Sequence, residues 1–164
     1  MPFSEYINYI QQNKYIYSLV LLATFYILSK LVVFVSKKII LNITKKTKTE
    51  IDDLIVKRTI KPISLILLLI GLRLALLPLG IKQDVMGIVE HIISSLIIIG
   101  VTYIGIVVFG ILIDNWGRKI SERTNSDVDD QLLPVIHKFS KIFISILGLL
   151  FIFPVWGIQI GPLL

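Results

Sequence analysis

Two short acidic motifs contain most of the residues in this chain that could do chemistry. The first runs from Thr47 to Asp53, and the second runs from Thr124 to Asp130. Paired carboxylates can bind a cation or act as general acid and base, but acid/base work requires burial beside a substrate pocket. Both motifs stand in polar connections among Lys and Arg residues. We therefore expect them to be solvated and structural rather than catalytic or metal-binding.

The spacing within each motif is typical of a helix start. A Thr stands three positions before an acidic residue in both copies, which is the spacing of a capping box. Acidic residues in a first turn also favour the positive end of the helix dipole. Apolar residues then recur at helical spacing. The predicted helix-start residues are Thr47, Glu50, Asp52 and Asp53 in the first motif and Thr124, Asp127, Asp129 and Asp130 in the second.

The two motifs belong to a longer repeat in the sequence. We call the interval from Thr47 to Thr124 the repeat offset. The same offset aligns other identical pairs along the chain: Tyr26 with Tyr103, Lys61 with Lys138, Gly71 with Gly148, and Gly80 with Gly157. One unit, made of an apolar segment, an acidic loop and a second apolar segment, therefore occurs twice. This pattern predicts an internal duplication.

The apolar segments are long enough to cross a membrane. The 164 residues are 55% hydrophobic, and the mean hydropathy is +0.84. A helix needs about 20 apolar residues to cross the hydrocarbon layer. The sequence predicts an all-α integral membrane protein with four spans in two tandem, parallel hairpin repeats. Hairpin 1–80 has spans at about 15–35 and 62–79, and hairpin 81–164 has spans at about 92–113 and 142–160.

The cations predict how the chain is oriented. Thirteen Lys and Arg residues lie in the two acidic connections, whereas Lys14 and Lys82 alone lie at the opposite ends of the spans. Lys and Arg bias sets the orientation of membrane helices. We expect a multi-pass protein of the cell membrane with both acidic loops in the cytoplasm and both termini outside. The net charge of +6 thus indicates a membrane surface and not nucleic acid, because no basic stripe is interleaved with aromatics.

Few other residues suggest a site. Arg73 lies near the outer end of the second span, where it can reach a lipid headgroup or a neighbouring helix. His91 and His137 are predicted at opposite membrane faces, and the chain has no cysteine. No motif of a hydrolase, metalloprotease or nucleotide-binding protein occurs. We expect no enzyme, no cofactor, no metal and no small-molecule substrate.

The sequence resembles one known family in the acidic motifs and in its last residues. Residues 49–54 and 126–134, each before a span, and Gly148 to Leu164 are similar to the small-conductance mechanosensitive ion channels. The resemblance covers about 44–164. It implies the transmembrane sensor paddle of such a channel, in which lipid-facing helices pass membrane tension to a pore helix that these 164 residues lack. It also implies a role in ion transport under osmotic stress, and a homo-oligomer where the pore region exists.

Two other functions fit the sequence. The chain could be a stand-alone membrane protein that docks to partner membrane proteins through its loops or apolar helices. It could also be a small transporter built from a duplicated two-span unit. The scarcity of charged or broken segments inside the spans weakens the transporter, because such segments bind the solute in known transporters. Membrane lipids are the expected partners in each case.

Overall fold

The computed structural model describes residues 13–43, 50–121, 128–159 and 161. Four α-helices account for nearly all of them: α1 (Lys14–Ile43), α2 (Glu50–Leu76), α3 (Gln83–Ser121) and α4 (Val128–Val155). A 3-10 turn, Leu77–Leu79, follows α2. These residues contain no β-strand. The predicted all-α fold class is confirmed.

Each of the four helices is long and apolar enough to cross a membrane. The candidate spans are Lys14–Lys38, Ile51–Leu79, Gln83–Gly117 and Leu132–Val155, with mean hydropathies between 1.9 and 2.8. The prediction of four spans is therefore confirmed. A helix rises about 1.5 Å per residue, so the 39 residues of α3 extend about 58 Å, well beyond a hydrocarbon layer of about 30 Å.

The helices continue beyond the predicted spans into the segments predicted as polar connections. Residues 50–61, 83–91, 114–121 and 128–141 are helical, although the sequence pattern placed polar connections there. The physical reason is that hydropathy marks where a helix enters the bilayer, while Glu, Lys and Arg are good helix formers in water. At the other ends, α2 stops at Leu76 and α4 at Val155, somewhat before the expected span ends at 79 and 160.

Two glycines follow the last turns of α2 and α4. Gly80 has φ of 66° and Gly157 has φ of 74°, a left-handed conformation that glycine adopts at low cost. After Gly80 the chain reverses and starts α3 at Gln83. The two glycines are separated by the repeat offset, so the same backbone conformation recurs where the sequence repeats.

The helices form an open row and not a closed bundle. Within the described residues, α1 packs on α2, α2 on α3, and α3 on α4, and no other pair of α-helices is in contact. Between 6% and 11% of the residues in the most apolar window of each span are buried. The buried apolar side chains are Ile60, Ala75, Ile93 and Ile111. Most of each span is therefore left for lipid to cover.

Candidate functional site in the row of helices

Glycines set the closest approach of the paired helices. A Cβ atom added to Gly71 of α2 would collide with Phe25 of α1, and one added to Gly148 of α4 would collide with Thr102 of α3. Small residues let helix backbones approach closely inside a membrane. The repeat offset separates Gly71 from Gly148, and it also separates Phe25 from Thr102. The same contact therefore closes the α1–α2 pair and the α3–α4 pair.

Further glycines line α3 and contact helices on both of its sides. Gly100 lies against Ile66 of α2, with 3.0 Å between its added Cβ and the Ile66 side chain. Gly110 lies against His137 of α4, and Gly117 lies against Leu133 of the same helix. The glycines of α3 thus serve two interfaces, as expected from their spacing, which does not place Gly100, Gly105 and Gly110 on one stripe.

The two ends of the row are named here by their residues. The end with the N-terminus of α1 and the α2–α3 turn is called the Lys14 end. The end at which α2 and α4 begin is called the acidic end, because the acidic motifs lead into these helix starts. His91 lies toward the Lys14 end, with its ring 5.4 Å from that of Trp156. His137 lies toward the acidic end beside Gly110, so the two histidines lie at opposite ends, as the sequence predicts.

At the Lys14 end, a polar contact joins each pair of neighbouring helices. Lys14 Nζ of α1 donates to the carbonyl oxygen of Leu79 after α2, at 3.4 Å. Arg73 Nε of α2 lies 3.8 Å from Glu90 Oε1 of α3. Trp156 Nε1, just after α4, donates to Ser95 Oγ of α3 at 3.0 Å. We call these three contacts the polar clasp.

Elsewhere in the described residues, several Ser and Thr hydroxyl groups donate within their own helices. Ser18 Oγ donates to the carbonyl of Lys14, Thr59 Oγ1 to that of Ile55, and Thr102 Oγ1 to that of Ile98. A Ser or Thr hydroxyl that bonds back to the preceding turn is satisfied without a neighbouring helix. Helix–helix packing away from the polar clasp is therefore mainly apolar.

Two apolar grooves flank the contact between Thr102 and Gly148. One has a volume of about 410 Å³ and the other about 490 Å³. Their walls are the aliphatic and aromatic side chains of α3 and α4, among them Ile99, Tyr103, Ile144 and Phe151. Most of the side chains that line the two grooves are apolar.

The acidic motifs lie where α2 and α4 begin, but only part of them is described. Helix α2 begins at Glu50, with Asp52 exposed and Asp53 half-buried in its first turn, and Asp129 and Asp130 stand in the first turn of α4. The other predicted helix-start residues, Thr47, Thr124 and Asp127, lie outside the described residues. The capping role of these side chains stays a prediction. In the described part of the chain, no three acidic or histidine side chains are grouped to hold a metal ion.

The sequence did not reveal the partners in the polar clasp. Glu90, Ser95 and Trp156 belong to no motif, and for Arg73 the sequence predicts either a lipid contact or a helix contact. One signal was available for Glu90. The α2–α3 turn includes Gly80, so an antiparallel pair brings residues at similar distances before and after the turn to the same level. Arg73 and Glu90 stand at such distances.

Comparison with known proteins shows a similarity over most of the chain. The chain is 31% identical over 141 residues to an uncharacterized MscS family protein of Aquifex aeolicus (strain VF5). The match covers 84% of this chain but 37% of that protein, so the chain spans a little over a third of the length of the relative it matches. No family model matches the chain, and no solved structure matches it.

Proposed function

We propose that this chain is a transmembrane region of a mechanosensitive ion channel of the MscS family, in which it senses membrane tension and passes the movement to a pore helix. The similarity to an MscS family protein favours a channel over an enzyme. In this proposal the protein lies in the cell membrane, with the acidic end in the cytoplasm and the Lys14 end outside, and lipids are its main partners.

The observation that carries the proposal is the open row. A tension sensor must expose much of its surface to lipid, because tension acts through the lipid that covers the helices. No more than 11% of the residues in the most apolar window of any span are buried by protein. A closed bundle of four helices would instead hide one face of every helix from lipid.

The polar clasp gives the row a direction of movement. Inside a bilayer there is no hydrophobic force between helices, since lipid tails are as apolar as leucine. Apolar helix faces there are therefore held together mainly by packing contacts. The pair α2–α3 is held at the Lys14 end by the turn at Gly80 and the Arg73–Glu90 contact, so it would splay at the acidic end when tension rises. The pairs α1–α2 and α3–α4 are each joined at the acidic end by the chain itself and would move as units.

The repeat fits the same proposal. We take residues 1–80 and 81–164 as two copies of one hairpin, each with an acidic loop at the cytoplasmic side. The recurrence of the Gly71–Phe25 contact as Gly148–Thr102 supports this division, as do the left-handed glycines at 80 and 157. Tandem hairpins with equal orientation would tilt in the same direction under tension.

The test measures two distances in liposomes under tension. The chain has no cysteine, so label pairs can be introduced directly. Lys57→Cys with Lys138→Cys reports on the acidic end, and Lys82→Cys with Ile158→Cys, at exposed positions near the other end, is the matched control. Lysolipid added to one leaflet mimics tension. We expect the distance at the acidic end to grow while the distance at the Lys14 end stays constant, measured by pulsed electron resonance.

Two results would contradict the proposal. An unchanged distance at the acidic end, under lysolipid that opens a known channel in the same liposomes, would exclude tension sensing by this region. Equal growth at both ends would exclude the clasp as the fixed end.

A further inference from the structure

The contact between α2 and α3 joins the last helix of one hairpin to the first helix of the next. On α2 it uses a stripe that includes Ile66 and Arg73, which are seven residues apart. Ile66 lies against Gly100, and Arg73 lies near Glu90. Such a spacing keeps residues on one face of a helix. This stripe is therefore the surface of a hairpin that receives its neighbour.

The corresponding stripe on α4 is partly uncovered within the described residues. Shifting Ile66 and Arg73 forward by the repeat offset gives Phe143, which is 63% exposed, and Leu150, which is half-buried. At the opposite edge of the row, shifting Gly100 back by the same offset gives Ala23 of α1, which is also exposed. Among the residues 13–43, 50–121 and 128–159, the row thus ends in two open faces. They are the counterparts of the two faces that meet between α2 and α3.

The geometry lets these two faces meet between copies of the chain. Helices α1 and α4 run in opposite directions across the membrane, as α3 and α2 do. A second copy in the same membrane orientation can therefore place its α1 beside α4 of the first. Such a contact is head-to-tail, because it joins different surfaces of the two copies, and it leaves another open face on each copy.

Charge favours α1 of a second copy as the occupant. In the α2–α3 contact the two helices are antiparallel, and Gly100 lies against Ile66. The number of residues from Gly100 forward to Asp114 equals the number from Ile66 back to Asp52. Asp114 and Asp52 therefore stand at the same level along the two helices. The same register between copies places Ala23 of one copy against Phe143 of the other. The number of residues from Ala23 forward to Lys37 equals the number from Phe143 back to Asp129, so Lys37 and Asp129 stand at the same level. The contact between copies therefore brings opposite charges level, and such complementarity selects partners.

We propose that α1 of a second copy packs on α4 through a contact that repeats the α2–α3 interface, with Ala23 of that copy on Phe143. This head-to-tail interface is a property of the 164 residues and does not depend on tension sensing. Repetition of the contact adds copies side by side in the membrane.

The test uses disulfide cross-linking in membranes of cells that express the chain. One variant carries Ala23→Cys and Phe143→Cys. The matched control carries Thr24→Cys and Ile142→Cys, which lie at the same depth but one residue around each helix. The counterparts of these control positions, Val101 and Leu65, stay exposed at the α2–α3 contact. We expect a ladder of cross-linked multimers from the first variant after mild oxidation, with several-fold less cross-linking from the control.

Co-expression shows whether the contact is head-to-tail. Ala23→Cys and Phe143→Cys in separately tagged chains should cross-link with each other, while neither single variant cross-links with itself. Equal cross-linking by the test pair and the control pair would overturn the proposal, because it would mean random collision. Absence of cross-linking would also overturn it. If Phe143→Cys in addition fails to react with a lipid-soluble thiol reagent, another helix covers this face, and the proposal is equally overturned.

Discussion

At the scale of single residues, the small side chains are the most informative feature of this protein. Gly71 and Gly148 are the positions at which α1 approaches α2 and α3 approaches α4. Their equivalent contacts, separated by the repeat offset, turn a sequence repeat into a structural one. The sequence identified the two glycines as an aligned pair, but it did not identify their neighbours, Phe25 and Thr102. Those neighbours depend on the packing register, which no local pattern encodes.

The first prediction concerns Gly71. We expect Gly71→Val to lower the free energy of unfolding by about 1 to 3 kcal/mol, because overpacking at a close contact forces the backbones apart. Gly87→Ala in α3 is the matched control, since nothing lies within 4 Å of its added Cβ. That substitution should be neutral or stabilising by up to about 1 kcal/mol. Unfolding of both variants in mixed micelles measures the difference, and equal stabilities would contradict the assigned contact.

The acidic residues show the limit of prediction at this scale. The sequence placed Asp52, Asp53, Asp129 and Asp130 at helix starts, and the structure has them in the first turns of α2 and α4. Their capping role stays a prediction, because Thr47, Thr124 and Asp127 lie outside the described residues. The pairing of Arg73 with Glu90 is not local, and the sequence left it undecided.

At the scale of elements, helix ends differ from span ends. Polar residues 50–61 continue α2 toward the acidic end, so this helix has a wet part and a membrane part. Pro62 lies between them, inside the helix. Proline has no N–H to donate and its ring crowds the carbonyl four residues earlier. This position is therefore the weakest point of the α2 backbone.

The second prediction concerns Pro62. We expect Pro62→Ala to slow amide hydrogen exchange in the turn around residues 58–62, because proline costs about 3 kcal/mol more than alanine in a helix interior. Pro78→Ala is the control, because Pro78 stands at the start of the 3-10 turn, where its missing N–H is of no consequence. Exchange rates near 62 that match those of the unsubstituted chain would show that α2 is already fully bonded there.

At the scale of the whole molecule, the chain is a single layer of helices whose order in space follows its order in sequence. In the part of the chain that the structure describes, this arrangement explains why so few side chains are buried and why both edges of the row are open. The open edges allow lateral growth by copies of the same chain, and the open faces allow lipid to act on every helix. Both proposals made above follow from this one property.

The third prediction is the orientation of the row. Because the acidic connections hold thirteen cations and the opposite ends two, the acidic end should face the cytoplasm. Lys57→Cys should therefore resist a membrane-impermeant thiol reagent in intact cells, whereas Lys82→Cys should react. Both positions are exposed, so a difference in labelling reports the side of the membrane. Labelling of Lys57→Cys alone would reverse the topology.

The sequence by itself determined the class of the protein, its four spans and the repeat offset. Each of these follows from hydropathy or from residue identity along the chain, and the bilayer permits only helices for uncharged segments of this length. The tertiary structure decided that the helices form an open row and that a polar clasp joins them at one end. It also decided that, within the described residues, α1 and α4 each keep an unpaired face. These features depend on which apolar faces meet, and apolar faces that are nearly alike all around a helix do not specify their neighbours.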